Sequence, residues 1–117
     1  MTATLNMDGP FNFTKNGIEN AVKENKKGNY ALGRKGDDGT FFVSYIGRSD
    51  NDLRQELLVR LDTHKHSHFK ASYANSAEEA FKKECQNYHD FDPEKLENEI
   101  HPDKPNGTLL KCPVCHN

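Results

Sequence analysis

The chain has 117 residues, of which 33% are hydrophobic and 29% charged, with a formal net charge of −2. That length suits one small domain with a modest core, and no run approaches the ~20 apolar residues of a membrane-spanning helix. A total charge near zero argues against indiscriminate nucleic-acid binding, although the distribution is uneven: Lys15, Lys23, Lys26, Lys27, Arg34 and Lys35 face only Glu19 and Glu24 over residues 15–35, while residues 90–103 carry six carboxylates against Lys95 alone.

Residues 1–12 carry no periodic signal and are expected to be flexible. Their start lacks the basic and apolar stretches of a secretory leader, so the expected location is cytoplasmic, and the three cysteines are expected as free thiols or metal ligands rather than disulfides. Thr14 is a good helix N-cap, and Ile18, Ala21 and Val22 form an apolar stripe. A helix is expected over residues 15–26, leaving through Gly28. Residues 29–34 and 40–46 read as two strands joined by the turn Lys35-Gly-Asp-Asp-Gly39, which makes an antiparallel hairpin. Tyr30 and Tyr45 lie at similar distances from that turn, and the register between them is left open.

Gly47 is expected as a hinge into a second helix that starts at Ser49, with Leu53, Leu57 and Leu61 on one stripe and Glu56, Arg60 and His64 beside them. A third strand is expected over 68–73, where Phe69, Ala71 and Tyr73 alternate with polar residues. Ser76-Ala-Glu-Glu79 is a full capping box, opening a helix over 77–89. Glu84 falls on the apolar stripe of that helix, so its carboxylate must be paired, metal-bound or at the stripe's edge. From Asp90 onward the chain is polar and proline-rich and is expected to wrap the surface. The expected organisation is a flexible N-terminus (1–12), a domain (13–100) and a C-terminal tail (101–117).

One ordered set of residues carries a family resemblance. Gly28-Asn29-Tyr30, Tyr45-Ile46-Gly47, Arg60-Leu61-Asp62-Thr63-His64, Glu84 and Asn98, set on the expected hairpin–helix–strand–helix order, resemble the GIY-YIG nuclease superfamily. The resemblance implies an α+β fold with a small three-stranded antiparallel sheet flanked by helices. It also implies hydrolysis of phosphodiesters with one divalent cation, magnesium or manganese, DNA being the expected polymer ahead of RNA.

Residue by residue, the resemblance makes Glu84 the metal ligand and Arg60 the phosphate contact, with Arg54 or Arg48 as alternatives. It sets Tyr30 and Tyr45 beside the attacking water, His64 near the phosphate and Asn98 at the closing edge of the site. These types suit the chemistry: a guanidinium offers forked donors to phosphate, and a carboxylate suits a hard cation. The alternative is the same fold without catalysis, binding nucleic acid or protein; Asn29, where the family has an apolar residue, and the long step from Gly47 to Arg60 point that way.

Cys112-Pro-Val-Cys115 has the spacing of half a tetrahedral zinc site, with Cys85, His89, His101 and His116 as candidates to complete it. His64, His66 and His68 alternate along an extended segment and form a weaker metal candidate.

Overall fold

A computed structural model describes residues 5–98 and 100–115. The elements run β1 (Asp8–Asn12), α1 (Lys15–Ala21), β2 (Gly28–Lys35), β3 (Phe41–Ser49), α2 (Leu53–Arg60), β4 (His68–Tyr73) and α3 (Ala77–Asp90). All pairings are antiparallel, in the order β1-β4-β2-β3. The α+β class is as expected, but the sheet has four strands rather than three. The additional strand, β1, pairs with β4 (Phe11 with Phe69, Asn12 with His68) from a segment expected to be flexible. Its Pro10 is tolerated because β1 is an edge strand, where a missing donor breaks no ladder.

Several boundaries differ from the sequence expectation, three of them with a visible reason. Thr14 Oγ1 accepts from Gly17 N at 3.0 Å and starts α1 as expected. The helix ends at Ala21 because the following backbone is claimed elsewhere: Lys23 N donates to Tyr73 Oη at 3.0 Å, Lys26 O accepts from Leu53 N and Lys27 O from Ala74 N. β3 runs straight through Gly47 to Ser49, so Gly47 is a strand residue and not a hinge. α2 is capped by Asp52, whose Oδ1 accepts from Gln55 N at 3.3 Å; Ser49 Oγ supports the preceding turn by accepting from Asp52 N. Ser76 caps α3 as expected, accepting from Glu79 N at 3.1 Å.

The sheet separates two cores. Phe13 and Ile18 from the α1 side and Leu53 and Leu57 from α2 pack on Tyr30, Leu32 and Phe69. The opposite face joins Ala31 and Ile46 to Leu5 and Leu96, with Tyr88 of α3 packed against them. A third cluster packs Phe81 and Cys85 of α3 on Cys112, which is fully buried, so the C-terminal tail is anchored in the molecule rather than laid over it. Among the described residues, no helix is long and apolar enough to cross a membrane.

Candidate active site

The candidate site lies at the outer edge of β3. Among the described residues that edge has no strand neighbour, and the tail takes its place: Glu97 N donates to Ser44 O at 2.7 Å, and the Asn98 amide pairs with both backbone groups of Ile46, donating to its O at 2.7 Å and accepting from its N at 3.0 Å. Asn98 therefore seals the strand edge through two backbone bonds. A cleft of about 220 Å³ opens there, lined by Tyr45, Arg48, Asp50, Glu84, Asn98 and Asp103 among others. Tyr45 comes from the α1–α2 side of the sheet and Glu84 from α3 on the opposite side.

The capping box at Ser76 sets the phase of α3 that turns Glu84 inward, 8% exposed. Its carboxylate is paired with neither Lys82 nor Lys83. Lys82 bonds Glu78, and Lys83 donates to Asn6 O and Ser72 Oγ. The partner is Arg48, whose Nη1 lies 2.6 Å from Glu84 Oε1. The same guanidinium holds Asp50 through Nε at 2.8 Å and Nη2 at 3.3 Å. Burial pushes the Glu84 carboxyl up to about 7, even though Arg48 pulls it down. Burial opposes the Arg48 charge, but its bonds to Asp50 and Glu84 outweigh that and raise its pKa. Glu84 Oε2 makes no hydrogen bond among the described residues. Asp50 lines the same cleft, and both of its carboxylate oxygens accept from Arg48.

The second half of the site centres on Glu56. Its Oε2 accepts from Tyr30 Oη and from Arg60 Nε, both at 2.9 Å. Tyr30 is 1% exposed, and burial together with the Glu56 charge pushes its phenol far above the ordinary value. Tyr45 is half-buried, with its ring stacked 6.3 Å from that of Tyr30. Burial raises its pKa although Arg60 lowers it, and its hydroxyl has no hydrogen-bond partner among the described residues. Arg60 sits 6.0 Å from the Tyr45 ring centroid and His64 4.6 Å from it. Burial first, then the charge of Arg60, lowers the His64 pKa and keeps its imidazole neutral.

The three arginines separate cleanly. Arg54 is tied to the end of α1 and the loop after it through all three nitrogens: Nε donates to Val22 O at 2.7 Å, Nη2 to Glu19 O at 2.9 Å, and Nη1 pairs with Glu24. Arg48 is held by two carboxylates. Arg60 uses only Nε, and its two terminal nitrogens make no hydrogen bond among the described residues.

Tyr45, Glu84 and Asn98 thus share one cleft, Arg60 and His64 stand against its Tyr45 wall, and Tyr30 is buried behind them. Asn29 is fully buried; its Nδ2 donates to Ala80 O at 2.8 Å, while its Oδ1 has no partner. Asp50 and Glu56 were missed as site residues. Glu56 had a signal in its i,i+4 relation to Arg60, whereas Asp50 sits in a turn with none. His66 pairs with Glu97 and His68 with Ser67, away from any metal-competent group among the described residues. Cys112 and Cys115 do meet His89 and His101, their ligand atoms all lying within 4.8 Å of one another; Cys85 is not among the four, and His116 lies outside the described residues.

Comparisons with protein-family models, with curated proteins and with solved structures find no match to this chain.

Proposed function

We propose that this chain is a divalent-cation-dependent phosphodiester hydrolase of the GIY-YIG kind, with DNA as its substrate. The observation that carries the reading is a cleft at one open strand edge lined by two carboxylates (Glu84 and Asp50) and a free phenol (Tyr45), with His64 and the unpaired donors of Arg60 packed against the Tyr45 ring beside it.

Glu84, with Asp50, would hold magnesium or manganese. Such a cation supplies positive charge to the phosphate oxygens and stabilises the leaving oxygen. The chain's own groups do the rest. The free nitrogens of Arg60 contact non-bridging phosphate oxygens, with Glu56 fixing the guanidinium. Tyr45 remains a neutral phenol and orients the attacking water through its hydroxyl. His64, uncharged at neutral pH, accepts the water's proton. Tyr30 acts behind them by holding Glu56. The lysines of residues 15–35 are exposed and offer contacts to a nucleic-acid backbone.

One observation favours a second reading, a binding module of the same fold without catalysis: Arg48 already occupies one oxygen of Glu84 at 2.6 Å. Incubation of the full chain with plasmid and branched DNA in magnesium or manganese separates the two. The hydrolase reading expects cleavage that Glu84→Gln abolishes while circular dichroism stays unchanged. An electrophoretic shift with no cleavage by the wild-type protein selects the binding module.

A further inference from the structure

We propose that His89, His101, Cys112 and Cys115 form a closed, tetrahedral zinc site that pins the C-terminal tail to α3 and holds one wall of the candidate cleft in place. His89 lies in the last turn of α3, His101 starts the tail, and Cys112 and Cys115 end it. His89 Nε2 is 3.2 Å from His101 Nε2, and Cys115 Sγ is 3.3 Å from the same nitrogen. Zinc–nitrogen bonds of about 2.0–2.1 Å at tetrahedral angles put two ligand nitrogens roughly 3.3 Å apart, so this spacing is the one a shared zinc ion imposes.

The hydrogen bonds around the tetrad fit an ion better than they fit its absence. His101 Nδ1 lies 2.8 Å from Pro102 O, a carbonyl that only accepts, so Nδ1 is the donor and, in the neutral ring, Nε2 carries the lone pair. That lone pair faces the Nε2 of His89 and the sulfur of Cys115. A backbone carbonyl holding the far nitrogen of a histidine is the arrangement that fixes the tautomer of a metal ligand.

Two sulfurs and two imidazoles select zinc over magnesium or calcium, and four protein ligands leave no open position, which marks a structural rather than a catalytic ion. The site also has work to do. Among the described residues of 91–115 there is no helix or strand, and their apolar support comes from small clusters around Leu96 and Cys112. Yet this segment supplies Asn98 to the edge of β3, and His101 and Asp103 to the lining of the cleft. A cross-link from the end of α3 to both ends of the tail supplies the rigidity that core burial does not.

The proposal stands apart from the hydrolase reading, and its test keeps them apart. The full chain, free of any affinity tag and purified without chelator, is expected to carry one zinc per molecule by elemental analysis. Replacement by cobalt(II) should give intense visible bands of a tetrahedral centre and a near-ultraviolet thiolate charge-transfer band. Cys115→Ser and His101→Asn should each lose the stoichiometric metal, whereas Glu84→Gln should retain it in full. Removal of zinc by a strong chelator should raise amide exchange at Asn98 and across residues 101–115. Reduced wild-type protein that neither carries zinc nor gives a tetrahedral cobalt spectrum overturns the site. Bound zinc whose removal leaves exchange in the tail unchanged overturns its anchoring role.

Discussion

Gly47 lies directly opposite Tyr30 on the β2–β3 ladder, and the tyrosine ring fills the space a side chain at position 47 would occupy. A Cβ added to Gly47 would overlap the Cζ and Oη atoms of the Tyr30 phenol. The glycine is therefore required by a close approach inside a strand and not by a turn. Gly47→Ala is expected to lower stability by roughly 1–3 kcal/mol in urea denaturation, the cost of overpacking a filled site. In a Tyr30→Leu background the same substitution should cost less, by more than about 0.5 kcal/mol, because the ring it strikes is gone. Equal costs in both backgrounds would show that the two residues do not oppose each other.

The two tyrosines are expected to behave differently. Tyr30 is buried, with its hydroxyl committed to Glu56, whereas Tyr45 presents a free hydroxyl at the cleft. Tyr30→Phe should cost about 1–2 kcal/mol of stability, since it leaves one acceptor site on Glu56 unfilled, and should reduce cleavage only modestly. Tyr45→Phe should leave stability nearly unchanged and reduce cleavage by roughly 100-fold or more. Paired denaturation and single-turnover measurements on the two variants check this, and a larger catalytic loss in Tyr30→Phe would reverse the assignment.

What the sequence displayed was local chemistry. The capping box at Ser76, the Gly-Asp-Asp-Gly turn and the alternation of β4 each specify an element through neighbours a few residues away, and each appears where expected. What it concealed were partners brought together by the fold. α1 stops early because Arg54, 32 residues beyond Val22, takes its carbonyl. Glu84 finds its counter-charge in Arg48, 36 residues before it, and no helical spacing announces that pair. β1 was hidden because its Gly-Pro step suits a turn as well as a sheet edge. The Cys-x-x-Cys half of the proposed metal tetrad was visible in its spacing, and His89 and His101 stood among its candidate partners; their meeting, from a helix end and a loop, is a tertiary event.

His64 should set the acid limb of the cleavage profile. Burial and the Arg60 charge depress its pKa below the ordinary value of 6.5, so the folded protein takes up this proton at lower pH than the unfolded chain does. Its contribution to stability is therefore complete above about pH 6.5 and is lost as the pH falls from there through the folded-state value. Cleavage should fall over the lower part of the same window as the proton acceptor becomes charged. Arg60→Gln removes one of the depressing charges, so the His64 titration followed by NMR should move upward toward 6.5. It should not return completely, because burial is the larger cause. An unchanged titration in that variant would place Arg60 too far from His64 to act on it.

The arginines offer the sharpest separation of scaffold from site. Arg54 closes the C-terminal end of α1 through the carbonyls of Glu19 and Val22, and each of its three nitrogens is already engaged in the fold. Arg54→Ala should cost about 1–3 kcal/mol by exposing those carbonyls unpaired, with cleavage per folded molecule unchanged. Arg60→Ala removes only an i,i+4 pair with Glu56 from the fold, a small loss on a partly exposed helix. Cleavage, by contrast, should drop by roughly 100- to 1,000-fold, the range for deleting one donor to a developing anionic charge. Arg60→Lys should recover little of it, because a single ammonium cannot hold Glu56 and reach two phosphate oxygens together. Single-turnover rates corrected for the folded fraction read both arms. An Arg54→Ala protein that folds fully but cleaves poorly would move the phosphate contact from the end of α2 to its start.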